Sequence, residues 1–168
     1  EPLMKNTGNR EKRTRVALVY PPGEQKISEP IPPPNMTIAV LADALAKDGR
    51  EVFQVDAEKE WFDRIQFLLS ARQTALLYDF GSVEAFVKGK APAKLAAEYE
   101  RLSSLLLREL GIVPVDLVGI TLVDMRAEPL IINFSALLAH AAKKKFKARA
   151  VIGYRGMPKE GYFYLLRK

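Results

Sequence analysis

The sequence contains no cysteine, very little histidine and no long apolar run. Without cysteine the chain can form no disulfide, no thiolate nucleophile and no thiolate-bound metal cluster. No apolar stretch approaches the roughly 20 residues that a membrane-spanning helix needs. The polar N-terminus also lacks the apolar core of a signal peptide. We therefore expect a cytoplasmic protein that does not contact a membrane.

Several motifs that carry chemistry are also missing. The Gly-x-Gly-x-x-Gly fingerprint of nicotinamide-binding proteins and the lysine motif of P-loop proteins are absent, which argues against dinucleotide or nucleoside triphosphate binding. The single histidine, His140, lies among alanines and lysines on a predicted helix, without the convergent partners that acid–base catalysis needs. No His, Asp or Glu residues have metal-ligand spacing. We predict no catalytic residues and no metal ligands.

The composition is that of a globular protein with grouped positive charge. The chain has 168 residues, of which 48% are hydrophobic and 27% charged, and its net charge is +6. Two groups of five cations each stand out, one in the first 15 residues and one in the segment 143–149. Such groups can bind phosphates, or they can be a solvated arm and cations that suit a helix C-terminus. No series of aromatic residues alternates with them, so we do not expect nucleic acid as a partner.

Strand-like and helix-like patterns alternate along the chain. Apolar runs predict strands, and apolar spacing of three and four residues predicts amphipathic helices. Together they predict an α/β domain, a three-layer Rossmann-like or flavodoxin-like fold with a mainly parallel sheet and a helical insertion at about 71–111. We expect a flexible basic arm at 1–13 and one domain over 14–168. The predicted strands are 14–20, 51–55, 115–122 and 148–152, and the predicted helices are 36–47, 58–70, 82–87, 93–110 and 130–144, with 74–78 either helix or strand.

The last apolar segment, from Tyr162 to Leu166, does not fit a parallel sheet. Only nine residues separate Ile152 from Tyr162, whereas a parallel crossover needs about a dozen. This predicted strand is therefore antiparallel to the others, or it pairs with another chain, as in a homodimer. The third alternative is that it is separated from the part of a longer protein in which it belongs.

Loops follow three of the predicted strands, at 20–25, 121–126 and 153–156, and the first and the third contain glycine. In a doubly wound sheet these loops meet at the carboxyl edge, where such folds bind ligands. Glycines there allow a large planar ligand to approach the backbone, and Thr121 can donate a hydrogen bond. The alternative is that the glycines only end strands in turns.

The order of several stretches resembles a known family. The stretches RVALVYPPGEQ, PNMTIAVLADALAKDGREVFQVD, DLVGIT and ARAVIGYRG are together similar to the N-terminal cobalamin-binding-type domain of radical S-adenosylmethionine enzymes, over about 15–156. The helical insertion and Trp61 look like the version found on enzymes that modify ribosomally made peptides. The resemblance implies a Rossmann-like sheet whose strand ends face a corrin ring, beside a barrel that holds an iron–sulfur cluster.

The resemblance also implies a set of cofactor-binding residues. Thr121 matches the Ser/Thr position that approaches the nucleotide tail, and Gly153 matches the first of the paired glycines of the family. The residues expected around cobalamin are Tyr20, Pro21, Pro22, Gly23, Thr121, Leu122, Val123, Gly153, Tyr154 and Gly156.

The sequence departs from the family in three ways. The Asp-x-His-x-x-Gly signature is absent, so cobalamin would have no lower histidine ligand. The paired glycines are interrupted by Tyr154 and Arg155. The Cys-x-x-x-Cys-x-x-Cys motif is absent, so the iron–sulfur cluster and S-adenosylmethionine would belong to a missing domain. The chain is a stand-alone relative or a fragment, and an end just after a strand favours the fragment.

We therefore expect an accessory domain that is not catalytic alone. Its partners would be the catalytic barrel of the same enzyme and a peptide substrate, and the full enzyme would carry out methyl transfer or peptide modification. One alternative is a degenerate Rossmann-like module for protein interaction or peptide docking that has lost cofactor binding. Another is a small-molecule enzyme that uses Asp124, Arg126 and Glu128.

Overall fold

Short apolar runs at separate places in the chain form one four-stranded parallel sheet, with strand order β2-β1-β3-β4. The computed structural model describes residues 13–23, 36–122 and 129–154. The strands are β1 (Arg15–Tyr20), β2 (Glu51–Asp56), β3 (Leu117–Leu122) and β4 (Arg149–Tyr154). The helices are α1 (Met36–Lys47), α2 (Ala57–Glu60), α3 (Gln66–Leu68), α4 (Ala71–Tyr78), α5 (Phe80–Val87), α6 (Ala93–Glu109) and α7 (Pro129–Phe146), and a π-helix (Trp61–Ile65) joins α2 to α3. The predicted Rossmann/flavodoxin-like α/β fold is confirmed.

Strand β1 is buried on both faces, as its near-continuous apolar run predicts. Because side chains alternate along a strand, Val16 and Leu18 pack with α1 in a small core, whereas Ala17 and Val19 belong to the large core on the opposite face. We call these the α1 face and the α7 face of the sheet.

Helix α7 is the centre of the large core. It contacts α4, α5 and α6 as well as β3 and β4. Phe134 packs edge-on against Trp61, with 6.1 Å between ring centroids. The predicted helical insertion at 71–111 contains α4, α5 and α6. The segment 74–78, for which the sequence allows helix or strand, lies in α4. The buried residues of α7 are Leu130, Ile132, Asn133, Phe134, Ser135, Ala136, Leu137, Leu138, Ala141 and Ala142.

Two predicted core positions were wrong. The spacing of Ile38, Leu41 and Leu45 predicts one buried face of α1, but the Leu41 side chain is 41% exposed because α1 packs mainly on β1 and β2. The spacing of Trp61, Ile65 and Leu68 predicts a second buried face, but Leu68 is 51% exposed. The π-helix rotates the residues that follow it relative to a continuous α-helix.

Several predictions lie outside the described residues. These are the arm at 1–13, apart from its last residue, and the strand from Tyr162 to Leu166, with its proposed homodimer contact. Among the described helices, none is both long and apolar enough to cross a membrane.

Side chains from two other helices cap the C-terminal carbonyls of α4. The last turn of any helix leaves carbonyls without intrahelical partners. The hydroxyl of Tyr99, on α6, donates to the Leu76 carbonyl at 3.1 Å, and Nδ2 of Asn133, on α7, donates to the Leu77 carbonyl at 2.7 Å. These bonds tie the insertion to α7.

Replacing Tyr99 with phenylalanine should lower the free energy of unfolding by about 1–2 kcal/mol, because a buried carbonyl loses a donor. Burial raises the pKa of Tyr99 to about 12 from 10.0. The folded state therefore keeps this proton at a pH where the unfolded state has lost it, and the stability that the neutral phenol contributes is lost between pH 10 and 12. Urea unfolding at pH 8 and pH 11 should show a smaller difference between wild type and Tyr99→Phe at the higher pH. A difference in the free energy of unfolding that is the same at both pH values would contradict the burial of the Tyr99 hydroxyl.

Two glycines of the sheet should respond differently to the same substitution. A Cβ on Gly119 would lie 2.9 Å from Cδ2 of the buried Leu18, whereas a Cβ on Gly153 would meet nothing within 4 Å. We expect Gly119→Val to lower the free energy of unfolding by about 1–3 kcal/mol through overpacking. The matched variant Gly153→Val should leave it unchanged within about 0.5 kcal/mol. Equal effects of the two substitutions in urea unfolding would show that β3 is not packed this way.

Candidate functional site

The sheet contains a topological switch point between β1 and β3. From β1 the chain passes through α1 to β2 on one side, and from β3 it passes through α7 to β4 on the other. Strands β1 and β3 are paired directly, with Val19 opposite Ile120. Ligands of open α/β sheets bind outside the carboxyl ends of the strands at such a point. The predicted loops after β1 and β3 therefore begin side by side.

The segment after β1 is held between two helix starts. Tyr20 is half-buried, Pro21 and Pro22 are buried, and Gly23 is partly exposed. A Cβ on Gly23 would lie 3.6 Å from Oε1 of Glu58, at the start of α2, and 3.8 Å from Cδ1 of Ile131, at the start of α7. The Gly23 N–H donates to the Glu58 carboxylate.

Thr121 places an unpaired hydroxyl at the end of β3. The residue is half-buried, and its Oγ1 is buried without a hydrogen-bond partner in the described part of the chain. A buried polar atom is normally hydrogen-bonded, so an unpaired one needs an explanation. Leu122, the next residue, is buried in the large core. Thr121 therefore faces the α1 side of the sheet, and Leu122 faces the α7 side.

The α1 face has an open half over β3 and β4. Gly119 and Thr121 alternate with core residues of β3, and Gly153 lies opposite Thr121 in the parallel register. Gly153 is exposed, and so is Val151 at 56%. Helix α1 packs mainly on β1 and β2, with Leu117 at the start of β3 against the same small core, and the described helices leave Val151 and Gly153 exposed. We call the surface formed by Gly119, Thr121, Val151 and Gly153 the open half-face.

The structure brings most of the predicted cofactor-binding residues to one edge. Tyr20 to Gly23 follow β1, Thr121 and Leu122 end β3, and Gly153 and Tyr154 end β4. Val123 and Gly156 lie outside the described residues, and so do Asp124, Arg126 and Glu128 of the alternative small-molecule site.

Glu58 is a site residue that the sequence did not single out. Its carboxyl group has a raised pKa, first because it is partly buried and second because Asp56 is nearby, while the hydrogen bond from Gly23 acts in the opposite direction. Asp56 caps α2 by accepting a hydrogen bond from the Lys59 N–H at 2.9 Å. Glu58 has no motif around it; only the fold of the 20–23 segment against α2 places it at the switch point.

His140 lies away from this edge, among helices. Its ring stacks at a tilt on Phe86, and its Nε2 is 3.1 Å from Oε1 of Glu100. In the described part of the chain, no group of three or more His, Cys, Asp or Glu residues could hold a metal ion.

The raised pKa of Glu58 gives a direct test of the geometry at this edge. An Asp56→Asn substitution keeps an oxygen that caps α2 but removes the neighbouring negative charge. We expect the carboxyl of Glu58 to titrate above 4.5 in wild type and at a lower pH in Asp56→Asn, as followed by carbon-13 NMR of the side chain. Asp63→Asn is the control because Asp63 forms an ion pair with Lys59 instead. A Glu58 titration that Asp56→Asn does not move would contradict the arrangement.

Comparison with protein-family models, with curated proteins and with solved structures gives no match. What the chain shows is its fold, an α/β domain with a four-stranded all-parallel sheet and a switch point between β1 and β3.

Proposed function

We propose that this chain is a cobalamin-binding-type accessory domain of a radical S-adenosylmethionine enzyme, with the corrinoid held at the switch point and along the open half-face. The observation that carries the proposal is the unpaired Oγ1 of Thr121. It lies at the carboxyl end of β3, which is where a doubly wound sheet binds its ligand.

The open half-face supports a flat or extended ligand. Gly153 has nothing within 4 Å of the place where a Cβ would stand, and it lies beside Thr121 in the register. A ligand group could therefore approach the backbone of β4 and accept a hydrogen bond from Thr121. Such a bond would supply the partner that the hydroxyl lacks.

The segment after β1 would form a second wall of the site. Pro21 and Pro22 have fixed φ angles and are buried. They would therefore present a rigid apolar edge to the ligand, and binding would not have to order this segment at a cost in conformational entropy. Tyr20, half-buried at the strand end, would border the ring. We expect this chain to orient the ligand by shape and by Thr121, since its only histidine, His140, contacts Glu100 and Phe86 instead.

The reaction itself would belong to the complete enzyme. A bound corrinoid supplies methyl-group transfer, and the iron–sulfur cluster and S-adenosylmethionine would be held by the catalytic barrel, with a peptide as substrate. This chain alone would bind, orient and shield the corrinoid without catalysis.

A second candidate function is protein interaction or peptide docking without a cofactor. Exposed apolar side chains on the α1 side favour it: Val40 is 64% exposed, Leu41 41% and Val151 56%. Exposed apolar surface of this kind is typical of interaction sites.

The experiment is a visible-absorbance titration of the chain with hydroxocobalamin, followed by desalting. We expect corrin bands to stay with the wild-type protein. Thr121→Val should weaken retention about tenfold, because it removes one buried hydrogen bond. It should leave the fold intact, since the hydroxyl has no hydrogen-bond partner among the described residues. Thr74→Val, on α4, is the matched control and should bind as wild type does.

Two further variants complete the set. Gly153→Val should reduce retention of the corrin bands by filling the site, and Tyr20→Ala should reduce it by opening the site. Loss of corrin bands from a wild-type chain that is folded by circular dichroism would overturn the proposal and favour the interaction module. Retention that is equal in Thr121→Val and wild type would place the corrinoid elsewhere.

A further inference from the structure

A basic groove runs between α6 and α7 on the outer side of the large core. Its volume is about 700 Å³. On α6 the residues Arg101, Ser104, Leu105 and Arg108 form one stripe, because they are spaced by three and four. The lining residues are Gln73, Glu100, Arg101, Ser104, Leu105, Leu107, Arg108, Ala141, Lys144 and Lys145.

Some cations of the groove are already neutralised. Nζ of Lys144 lies 2.7 Å from Oε1 of Glu100. Burial raises the pKa of Glu100, but hydrogen bonds from Lys144 and His140 outweigh burial and leave the pKa below its ordinary value. Glu100 is therefore ionised at neutral pH. Arg108 pairs with Glu109, with 2.8 Å between Nη2 and Oε1.

Two cations have no carboxylate partner within the described ranges 13–23, 36–122 and 129–154. These are Arg101, on α6, and Lys145, on α7; both are exposed and both line the groove. Nζ of Lys145 lies 5.7 Å from the ring centroid of its neighbour Phe146. A partner with negative charge could pair with both without breaking an ion pair of this chain.

The floor of the groove is apolar. Leu105 is half-buried between the two arginines of its stripe, and Leu107 and Ala141 are buried. The stripe from Arg101 to Arg108 rises by about 10 Å, which is two turns of a helix. An apolar floor with cationic rims is complementary to an amphipathic helix whose apolar stripe is flanked by Asp or Glu.

We infer that this groove docks an acidic amphipathic peptide segment of a partner protein, about two helical turns long. A nucleic acid fits it less well, because none of the lining residues is aromatic and bases would have nothing to stack on. The groove is lined by helices α4, α6 and α7, and none of its residues is among those of the switch point. The inference therefore goes beyond the proposed function and does not depend on it.

The test measures fluorescence anisotropy of a labelled 12-residue peptide (roughly three turns) with leucines on one face and glutamates beside them. A peptide with lysine at each glutamate position and a thymidine oligonucleotide of about equal charge serve as comparison probes. We expect only the acidic peptide to bind well, with affinity falling between 50 and 300 mM salt, as screening requires (about a twofold shorter Debye length).

The variant Arg101→Glu/Lys145→Glu should weaken binding of the acidic peptide about tenfold or more. The matched control is Lys90→Glu/Lys94→Glu, which changes the net charge equally at exposed lysines outside the groove. It should change binding less than about twofold. Circular dichroism should show all variants folded, because none of these four cations has an ion pair with the described residues.

Three results would overturn the inference. Equal weakening by both double variants would show that only net charge matters. Equal binding of the acidic and basic peptides would show that the rims do not select charge. Tighter binding of the oligonucleotide, lost in Arg101→Glu/Lys145→Glu, would make the groove a nucleic-acid site.

Discussion

The direct parallel pairing of β1 with β3 is the contact on which the rest of the structure depends. It places the end of β1 beside the end of β3 and so creates the switch point where the two loops diverge. Had β1 paired with β2 alone, Thr121 and the 20–23 segment would lie far apart. Because a one-residue shift in register turns every side chain to the other face, this pairing also decides that Thr121 faces the α1 side and Leu122 the large core.

The two faces of the sheet are covered unequally, and both proposed binding surfaces follow from that inequality. On the α7 face, the insertion packs on α7, and Tyr99 and Asn133 tie α4 to the core through its end carbonyls. That packing leaves the outer sides of α6 and α7 as the walls of the basic groove. On the α1 face, α1 packs mainly on β1 and β2, and a Cβ on Gly153 would meet nothing within 4 Å. All-parallel sheets are normally covered on both faces. A ligand or partner would therefore bury the most sheet surface at the open half-face.

The strands and helices could be predicted because their signals are local. The apolar run of β1 and the spacing in α6 predict their limits to within two residues, and Gly111, with a φ of 64°, follows the end of α6 as an ordinary stop signal. The site was harder. Thr121 and Gly153 could be placed at one edge from strand order, but Glu58 comes to that edge only through the packing of 20–23 against α2. The exposure of Leu41 and Leu68 depended on which strands α1 covers and on a π-helix, neither of which periodicity reveals.

The central claim is that a ligand binds at the switch point and along the open half-face, and amide hydrogen exchange measured with and without hydroxocobalamin tests it most directly. We expect slower exchange at the amides of Tyr20 and Gly23, in 119–122 and in 151–154, with no change in α5 or in the groove between α6 and α7. Protection confined to α6 and α7, or no protection anywhere while the corrinoid stays bound, would contradict it. Because exchange is read at each segment, the result depends on where the ligand lies rather than only on whether it binds.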